Sequence, residues 1–175
     1  AGSAYRSPAE DFPEAQFDRI IELNLKGTYI PCQSFGTVML EQGRGNIINM
    51  GSIGSYVAYP WASAYLASKG GVLQLTRALA LEWRDRGVRV NAIILGQVMN
   101  RMLRERIETD PRMEEQGLRG IAMGRLGEPD DVKGVAIFLA SDAARWVTGV
   151  LLPMDGGNLA MNAGASYPGG PGITG

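Results

Sequence analysis

Apolar residues recur every three to four positions in three stretches of the chain, a spacing typical of amphipathic helices. The first stretch begins after Pro13 and extends to about residue 42, with Pro31 inside it. The second covers about residues 61–86, and the third runs from Glu128 to Ala140. Because proline lacks a backbone N–H and crowds the preceding turn, we expect a kink at Pro31.

Three short apolar runs alternate with these helices, at Asn46–Met50, Val88–Leu95 and Trp146–Met154. Runs of this length beside glycine predict buried strands. Strands that alternate with long helices indicate an α/β fold with a parallel sheet between helical layers. Residues 96–128 are polar and methionine-rich, and we interpret them as largely irregular.

The length of 175 residues fits one domain. Three parallel strands, however, form a small sheet with two exposed edges. We therefore expect either an incomplete domain or further strands that are supplied from elsewhere. Residues 161–175 are rich in glycine, proline and serine, and we predict a flexible tail there.

The absence of histidine removes Ser-His-Asp catalysis, Cys-His catalysis and histidine-ligated metal sites together. The single Cys32 excludes an internal disulfide. The 17 basic and 18 acidic residues are spread along the chain, and no apolar run has the length of a membrane span. We therefore expect no nucleic-acid partner and no membrane partner. The N-terminus lacks signal-peptide features, so a cytoplasmic location is expected.

Tyr65 and Lys69 lie four residues apart near the start of the second helix, so their side chains share one face. A free phenol titrates near pH ~10 and is a poor base at neutral pH. An ammonium ~4 Å from a phenolate stabilises it by about 4 kcal/mol at an effective dielectric of ~20. The pair could therefore exchange a proton near neutral pH. The alternative is a solvated helix face, because this spacing is common by chance.

Ser52 lies 13 residues before Tyr65, just after the carboxyl end of the first strand, where open α/β sheets bind ligands. The stretch Gly51-Ser52, followed by Tyr65-Leu66-Ala67-Ser68-Lys69, closely resembles the short-chain dehydrogenase/reductase family. Other segments resemble that family in the same order, over about residues 1–160: Asn24–Gly27, Val88–Ala92, Gly124–Pro129, Phe138–Asp142 and Asp155–Gly157.

The resemblance implies a Rossmann-like doubly wound parallel sheet, of which only the C-terminal strands and helices are present. It also implies that Tyr65 is the general acid–base for the substrate oxygen. Lys69 would assist Tyr65 and bind the nicotinamide ribose, and Ser52 would hydrogen-bond the same substrate oxygen. Asn24 would hold a water in a proton relay to Lys69. The alternatives are a turn cap for Ser52 and a polar group within a helix for Asn24.

Two parts of the chain depart from the family pattern. No glycine-rich phosphate loop follows a strand near the N-terminus, and Ala1-Gly2 instead resembles the end of the family's Asn-Asn-Ala-Gly segment. We therefore expect the first strands and the phosphate loop to be missing. The chain also has Leu95-Gly96 in place of Pro-Gly, and Asn100 in place of threonine. Gly96, Val98 and Asn100 remain candidate contacts for the nicotinamide.

The resemblance implies an oxidoreductase that uses NAD or NADP on a small-molecule substrate. That substrate would be a secondary alcohol or ketone: a sugar, a polyol, a small hydroxy compound or a 3-oxoacyl thioester. Residues 97–126 would cover it, with Met99, Met102 and Leu103 as candidate pocket residues or simply as core. The two long helices resemble the family's dimer interface, so a homodimer or homotetramer is expected. The alternative is a truncated, non-catalytic folding or oligomerisation unit.

Overall fold

The structure is a computed structural model that describes residues 2–110 and 112–161. Within these residues, one parallel sheet has the order β1–β2–β3, formed by Gly45–Ser52, Val88–Leu95 and Leu151–Met154. The central strand β2 pairs with β1 over its whole length, and its last four residues pair with β3. The predicted parallel sheet is therefore confirmed, and β2 has the predicted bounds.

The third strand is shorter than predicted, because it begins at Leu151 and not at Trp146. The side chain of Asn91 binds the residues before Leu151. Its N–H donates to the Val147 carbonyl at 3.0 Å, and its oxygen accepts the Val150 N–H at 3.0 Å. The Thr148 hydroxyl oxygen likewise accepts the Val90 N–H at 3.1 Å. Backbone hydrogen bonds also join this segment to β2, from the Gly149 N–H to the Val90 carbonyl at 2.8 Å and from the Ala92 N–H to the Val150 carbonyl at 2.9 Å. The side-chain bonds and the positive φ of Gly149, +73°, interrupt the regular strand ladder before Leu151.

Helices cover both faces of the sheet. The first helical segment consists of α1 and α2 joined by a π-helical turn at Glu22–Lys26. The helix predicted at about residues 61–86 is present as the shorter α3, and the helix before Ala140 is present as α6. Within the described residues the α-helices are Glu14–Ile21 (α1), Gly27–Gln42 (α2), Ser63–Glu82 (α3), Arg101–Thr109 (α4), Arg112–Leu118 (α5) and Pro129–Ala140 (α6).

The first helical segment departs from α geometry at Glu22–Lys26 and not at Pro31, where we expected the kink. Helix α2 continues as an α-helix through Pro31 to Gln42. In the π turn, the Gly27 N–H donates to the Glu22 carbonyl, five residues earlier. One extra residue is thereby accommodated in the turn that contains Asn24, and such turns are frequent at functional sites.

The core has two layers because β2 is buried on both faces. On one face the apolar side chains pack between the sheet and helices α2 and α3, and on the other face they pack beneath α6. Alternate residues of β2 contribute to the two layers, which explains its continuous apolar sequence. The largest buried members are Leu79, Trp83 and Val90 in the first layer and Ile93 and Leu139 in the second.

Two helices, α4 and α5, lie within the segment that we interpreted as irregular. Asn100 begins α4, because its side-chain oxygen accepts the Leu103 N–H at 2.9 Å. Asp110 accepts the Arg112 N–H at 3.1 Å at the start of α5. Asn and Asp are common capping residues at the start of a helix. The prediction of an irregular segment was wrong here because it relied on apolar periodicity, which is weak in these two helices. No helix among the described residues combines the length and apolar character needed to cross a bilayer.

Most of the predicted tail lies outside the described residues, which end at Met161.

Candidate active site

The candidate catalytic residues gather at the carboxyl end of the sheet. Ser52 ends β1 and pairs in register with Leu95, the last residue of β2. Gly96 follows at the same edge, and its N–H donates to the Met154 carbonyl of β3 at 3.0 Å. Helix α3, which carries Tyr65 and Lys69, packs against β1 and β2. The parallel arrangement therefore brings the predicted residues to the edge where ligands bind in such sheets.

Ser52 is buried, and its hydroxyl oxygen accepts the Gly54 N–H at 3.1 Å. It thereby caps the short 3-10 turn Ile53–Ser55, as the alternative interpretation expected. A serine hydroxyl that accepts one hydrogen bond still has its own proton to donate. The capping role fixes the side chain at the strand end and leaves that proton available to a substrate oxygen.

Lys69 is nearly enclosed, with 8% of its surface exposed. Its ammonium donates to the Met50 carbonyl at 3.0 Å, and burial lowers the pKa of Lys69. The Ser55 hydroxyl donates to the Lys69 carbonyl at 2.9 Å and so joins the loop after β1 to α3. An ammonium has three donors, and one is used within the described part of the chain. Lys69 is therefore a buried cation with donors to spare beside the strand end.

Asn24 is 1% exposed and binds a segment distant in sequence. Its carbonyl oxygen accepts the Ser3 N–H at 2.9 Å, and its amide donates to the Ser3 carbonyl at 2.9 Å and to the Ser68 hydroxyl at 3.0 Å. Both amide protons are therefore used. The Thr28 hydroxyl donates to the Asn24 backbone carbonyl at 2.8 Å. The structure thus joins Asn24 to the residue beside Lys69, and the water relay stays a prediction.

Tyr59 belongs to this region, although the sequence reasoning missed it. A Cβ placed on Gly54 would lie 3.4 Å from both the Tyr59 hydroxyl oxygen and Cε1 of Tyr65. Burial raises the pKa of Tyr59 to about 12, with a further increase from Tyr65 and an opposing effect from Arg6. The available signal was its position in an aromatic-rich loop between Ser52 and Tyr65.

The three remaining candidate contacts for a nicotinamide each have a structural role. Gly96 must be glycine, because a Cβ there would lie 2.6 Å from Cα of Asp155. Val98 forms a parallel bridge with Gly127, and Asn100 caps α4. The backbone of Gly96 is thus at the site edge, whereas contacts of Val98 and Asn100 with a cofactor stay predictions.

A cavity of about 450 Å³ lies between β3 and α6. Its apolar wall includes Val98, Ile121, Val132, Val135, Leu152 and Met154. None of Asn24, Ser52, Tyr65 and Lys69 lines it, whereas Val98, a candidate contact for the nicotinamide, does. Of the predicted pocket residues, Met99 faces a smaller cavity with Leu118 and Leu126. Leu103 is half-buried, and the side chain of Met102 lies outside the described part of the structure.

A family model described as enoyl-(acyl carrier protein) reductase matches residues 1–158, which include the whole candidate site. The chain belongs to the short-chain dehydrogenase/reductase family. A galactitol 2-dehydrogenase (L-tagatose-forming) of Cereibacter sphaeroides is 44% identical over 162 residues, covering 90% of this chain and 62% of that protein. A 2-dehydro-3-deoxy-D-gluconate 5-dehydrogenase of Bacillus subtilis is 40% identical, covering 91% and 63%.

A solved structure of similar fold is a gluconate 5-dehydrogenase from Burkholderia cenocepacia in complex with NADP and tartrate. It has a TM-score of 0.87 and 31% sequence identity, and the match covers 91% of this chain and 62% of that one. The Rossmann fold is therefore confirmed for this chain. The chain spans somewhat less than two thirds of the length of these short-chain dehydrogenase/reductase relatives.

Proposed function

We propose that the protein containing this chain is an NAD(P)-dependent oxidoreductase that interconverts a secondary alcohol and a ketone. The observation that carries the proposal is the convergence of Ser52, Tyr65 and Lys69 at the carboxyl end of the sheet. Tyr65 offers a phenol, Ser52 offers a hydroxyl fixed by the strand end, and Lys69 offers a buried ammonium. Among the described residues no carboxylate pairs with Lys69, so its charge is available to oxygen atoms of ligands.

The three residues have different tasks in the oxidation direction. Tyr65 accepts the hydroxyl proton of the alcohol, while Ser52 hydrogen-bonds the same oxygen and orients it. Lys69 stabilises the negative charge on Tyr65 and donates to ribose hydroxyls. A bound oxidised nicotinamide would supply the acceptor for the hydride that leaves the same carbon. The alcohol thus loses a hydride and a proton and becomes a ketone, and reduction reverses each transfer.

Residues of this chain fit the nicotinamide end of the cofactor. Lys69 has unused donors near the strand end, and the backbone at Gly96 lies at the same edge. A water between the Asn24 carbonyl and Lys69 would complete a path for the proton to solvent. We propose this water, and also contacts of Val98 and Asn100 with the nicotinamide.

A sugar, polyol or hydroxy acid is the substrate class that we propose. The relatives include dehydrogenases named for galactitol, D-threitol and glycerol, and the gluconate 5-dehydrogenase structure holds tartrate. We also propose a homodimer or homotetramer. Its support is the exposure of large apolar side chains on the long helices, among them Phe35 at 63% and Leu81 at 64%.

A second candidate function is a non-catalytic folding or assembly unit, favoured by the same exposed helices. One relative, 38% identical, is described as an inactive 2-(S)-hydroxypropyl-CoM dehydrogenase. Titration of NAD⁺ and NADP⁺ into the 175-residue chain and into the natural polypeptide that contains it separates the two functions. Dinucleotide binding by the natural polypeptide supports the enzyme. If the chain associates through its long helices, and neither the 175-residue chain nor the natural polypeptide binds a dinucleotide, the result supports the non-catalytic assembly unit.

The test of the chemistry is Tyr65→Phe in the natural polypeptide, assayed on a panel of polyols and hydroxy acids. Loss of the phenolic oxygen should lower kcat by at least ~100-fold, the usual scale for a general acid–base, with little change in KM. Tyr56→Phe is the matched control, because Tyr56 is exposed in the preceding loop. Turnover of the Tyr65 variant within a factor of about ten of the wild type would exclude Tyr65 as the acid–base.

A further inference from the structure

Residues 99–126 leave the carboxyl edge of the sheet after β2 and return to it, and we call them the lid. The lid is closed at its base, where Val98 forms a parallel bridge with Gly127. The Gly127 N–H donates to the Gln97 carbonyl at 3.0 Å, and the Met99 N–H donates to the Gly127 carbonyl at 2.8 Å. Both ends of the lid are therefore fixed at the edge of the sheet that holds the candidate active site.

The returning arm of the lid has a second fixed point, on the turn that follows β3. The Met123 N–H donates to the Gly156 carbonyl at 3.0 Å. The side-chain N–H of Asn158 donates to the Gly120 carbonyl at 2.7 Å. Ile121 lies between these two contacts and is buried, at 5% exposure. This arm of the lid is therefore held against the end of β3.

The rest of the lid is attached more loosely. Helices α4 and α5 pack mainly on each other. A cavity of about 260 Å³ lies between α5 and the returning arm, with Leu118 and Leu126 on its wall. Two helices that pack on each other and border a cavity can move together about fixed points, as the lids of binding sites do. Gly120 follows α5 closely and is the point at which the loosely attached part meets the held arm.

The turn after β3 has a shape that requires glycine at two positions. Gly156 and Gly157 have φ of +62° and +88°, in the left-handed region. A Cβ on Gly156 would lie 2.6 Å from Cγ2 of Ile121, and one on Gly157 would lie 2.8 Å from Cβ of Ala122. The two glycines therefore let the lid approach the turn closely enough for the hydrogen bond from Asn158.

Asn158 is buried, at 4% exposure, and the turn itself orients it. Its backbone N–H donates to the Asp155 carbonyl at 3.2 Å. The Asp155 carboxylate accepts the N–H groups of Gly157 and Leu159, on either side of Asn158, at 3.0 and 2.8 Å. The side-chain oxygen of Asn158 has no partner within the described residues, which is costly for a buried group. An apolar side chain would avoid that cost, so the bond to Gly120 is what an amide supplies here.

We propose that Asn158 is a positioning residue for the lid, because its hydrogen bond to Gly120 fixes the hinge about which α4 and α5 close over the substrate. Without this bond the returning arm is released, and the part of the lid that can move extends to Leu126. Substrate binding must then order more residues, which lowers the affinity. The proposal rests on the proposed function, because it assumes that the substrate lies at Tyr65, at the edge from which the lid rises.

The first test does not depend on catalysis. In the natural polypeptide with Asn158→Ala, trypsin should cut after Arg119, next to Gly120, about 10-fold faster than in the wild type, because loss of one hydrogen bond raises the population of the open arm by about this factor. Cleavage after Arg44, an exposed arginine at the amino end of β1, should be unchanged. Mass spectrometry of the fragments over time measures both rates.

The second test is kinetic and uses galactitol, D-threitol, glycerol and gluconate with NAD⁺ and with NADP⁺. Asn158→Ala should raise KM for the substrates by about 5-fold and leave kcat within about 2-fold, because the lid acts on binding and not on proton transfer. The Kd of the dinucleotide measured without substrate should be unchanged. A variant that was merely less stable would lose active enzyme, so its apparent kcat would fall while its KM stayed constant.

Two further variants control the result. Thr76→Val removes a buried hydrogen bond of similar length, 3.0 Å, within the core and away from the lid. It should change neither KM nor the rate of cleavage after Arg119. Gly157→Ala disturbs the contact with the lid from the other side, since its Cβ would meet Ala122, and it should reproduce both effects of Asn158→Ala. Circular dichroism of each variant checks that it is folded.

The outcomes separate this proposal from the function on which it rests. Unchanged cleavage after Arg119 in Asn158→Ala would overturn the hinge, and faster cleavage with an unchanged KM would overturn the positioning role. Turnover of none of the four substrates by the wild type would overturn the proposed function and the role of Asn158 toward substrate, while the cleavage rates would still decide whether Asn158 holds Gly120. Faster cleavage together with a higher KM, in both Asn158→Ala and Gly157→Ala, would support the proposal.

Discussion

Two buried polar chains connect the first helical segment to α3, and they differ in what they join. The Asn24 chain consists of Ser3, Asn24 and Ser68, and the Asn49 chain consists of Cys32, Asn49 and Thr76. Both asparagines are buried, at 1% and 5% exposure. In the second chain the Cys32 thiol donates to the Asn49 oxygen at 3.3 Å, and the Asn49 amide donates to the Thr76 hydroxyl at 3.0 Å.

The Asn24 chain begins in a segment without regular structure and ends at the residue beside Lys69. The Asn49 chain stays inside regular elements, and Thr76 completes it by donating to the Val72 carbonyl of its own helix at 2.8 Å. Both chains satisfy the rule that buried polar groups need partners. Burial of an asparagine therefore does not by itself mark a functional residue. The Asn24 chain differs in ending at Ser68, the residue beside Lys69.

The largest expected effect comes from Asn24→Leu. The change leaves the Ser3 N–H, the Ser3 carbonyl and the Ser68 hydroxyl without this partner, so the free energy of unfolding should fall by about 3 kcal/mol. Urea unfolding measures the loss. Limited proteolysis should also cut the segment around Ser3 faster, because Asn24 no longer holds it.

A control for Asn24→Leu is Leu23→Ala, since Leu23 is the exposed neighbour in the same π turn. It should change the free energy of unfolding by less than about 1 kcal/mol. Equal destabilisation by the two variants would mean that the turn, and not the hydrogen bonds of Asn24, is the sensitive feature.

A smaller effect is expected in the Asn49 chain. Thr76→Val preserves the shape of the side chain and removes the hydroxyl that accepts from Asn49, so unfolding should become easier by about 1.5 kcal/mol. Because the chain ends within α3, kcat and KM of the natural polypeptide should stay within about 2-fold. If kcat falls by more than the loss of folded protein can explain, the Asn49 chain also supports the candidate active site.

The sequence predicted those features that depend on local pattern and failed where tertiary contacts decide. The bounds of β2 were right because a strand buried on both faces is continuously apolar. The start of β3 was wrong because the side-chain bonds of Asn91 and the positive φ of Gly149 interrupt the regular ladder before Leu151. The motif identified Ser52 and Lys69 as candidates. Burial of Lys69 against Met50 depends on folding and has no sequence signal.

The same distinction holds for the residues around Tyr65. Asn24 was predicted by resemblance, yet its partner Ser3 lies 21 positions away and cannot be read from spacing. Tyr59 was missed because its significance depends on Arg6 and Gly54, which meet it only in three dimensions. The π turn was missed because a proline offered a simpler local cause for irregularity.

The smallest expected effect concerns pH and contrasts Lys69, which follows Ser68 of the Asn24 chain, with Cys32 of the Asn49 chain. Burial lowers the pKa of Lys69 from its ordinary value of 10.5, so near pH 10 the unfolded chain holds more protons at this group than the folded chain. Stability contributed by Lys69 therefore rises with pH toward 10.5. Burial raises the pKa of Cys32 from its ordinary value of 9.0, so above pH 9 the folded chain holds more protons there. The stability contributed by Cys32 therefore falls as the pH rises above 9.

Variants that remove Lys69 or Cys32 should consequently change the pH dependence of the free energy of unfolding in opposite directions. Relative to the wild type, Lys69→Met should be most favourable to stability near neutral pH, where the buried charge is costly, and should lose that advantage toward pH 10.5. Cys32→Ala should be less stable throughout because it leaves a cavity, with a deficit that narrows above pH 9. Urea unfolding at intervals between pH 7 and 10.5 measures both trends. Parallel curves for Lys69→Met and the wild type would mean that Lys69 titrates alike in the folded and unfolded chains. The contrast between Lys69, beside the Asn24 chain, and Cys32, in the Asn49 chain, would then fail.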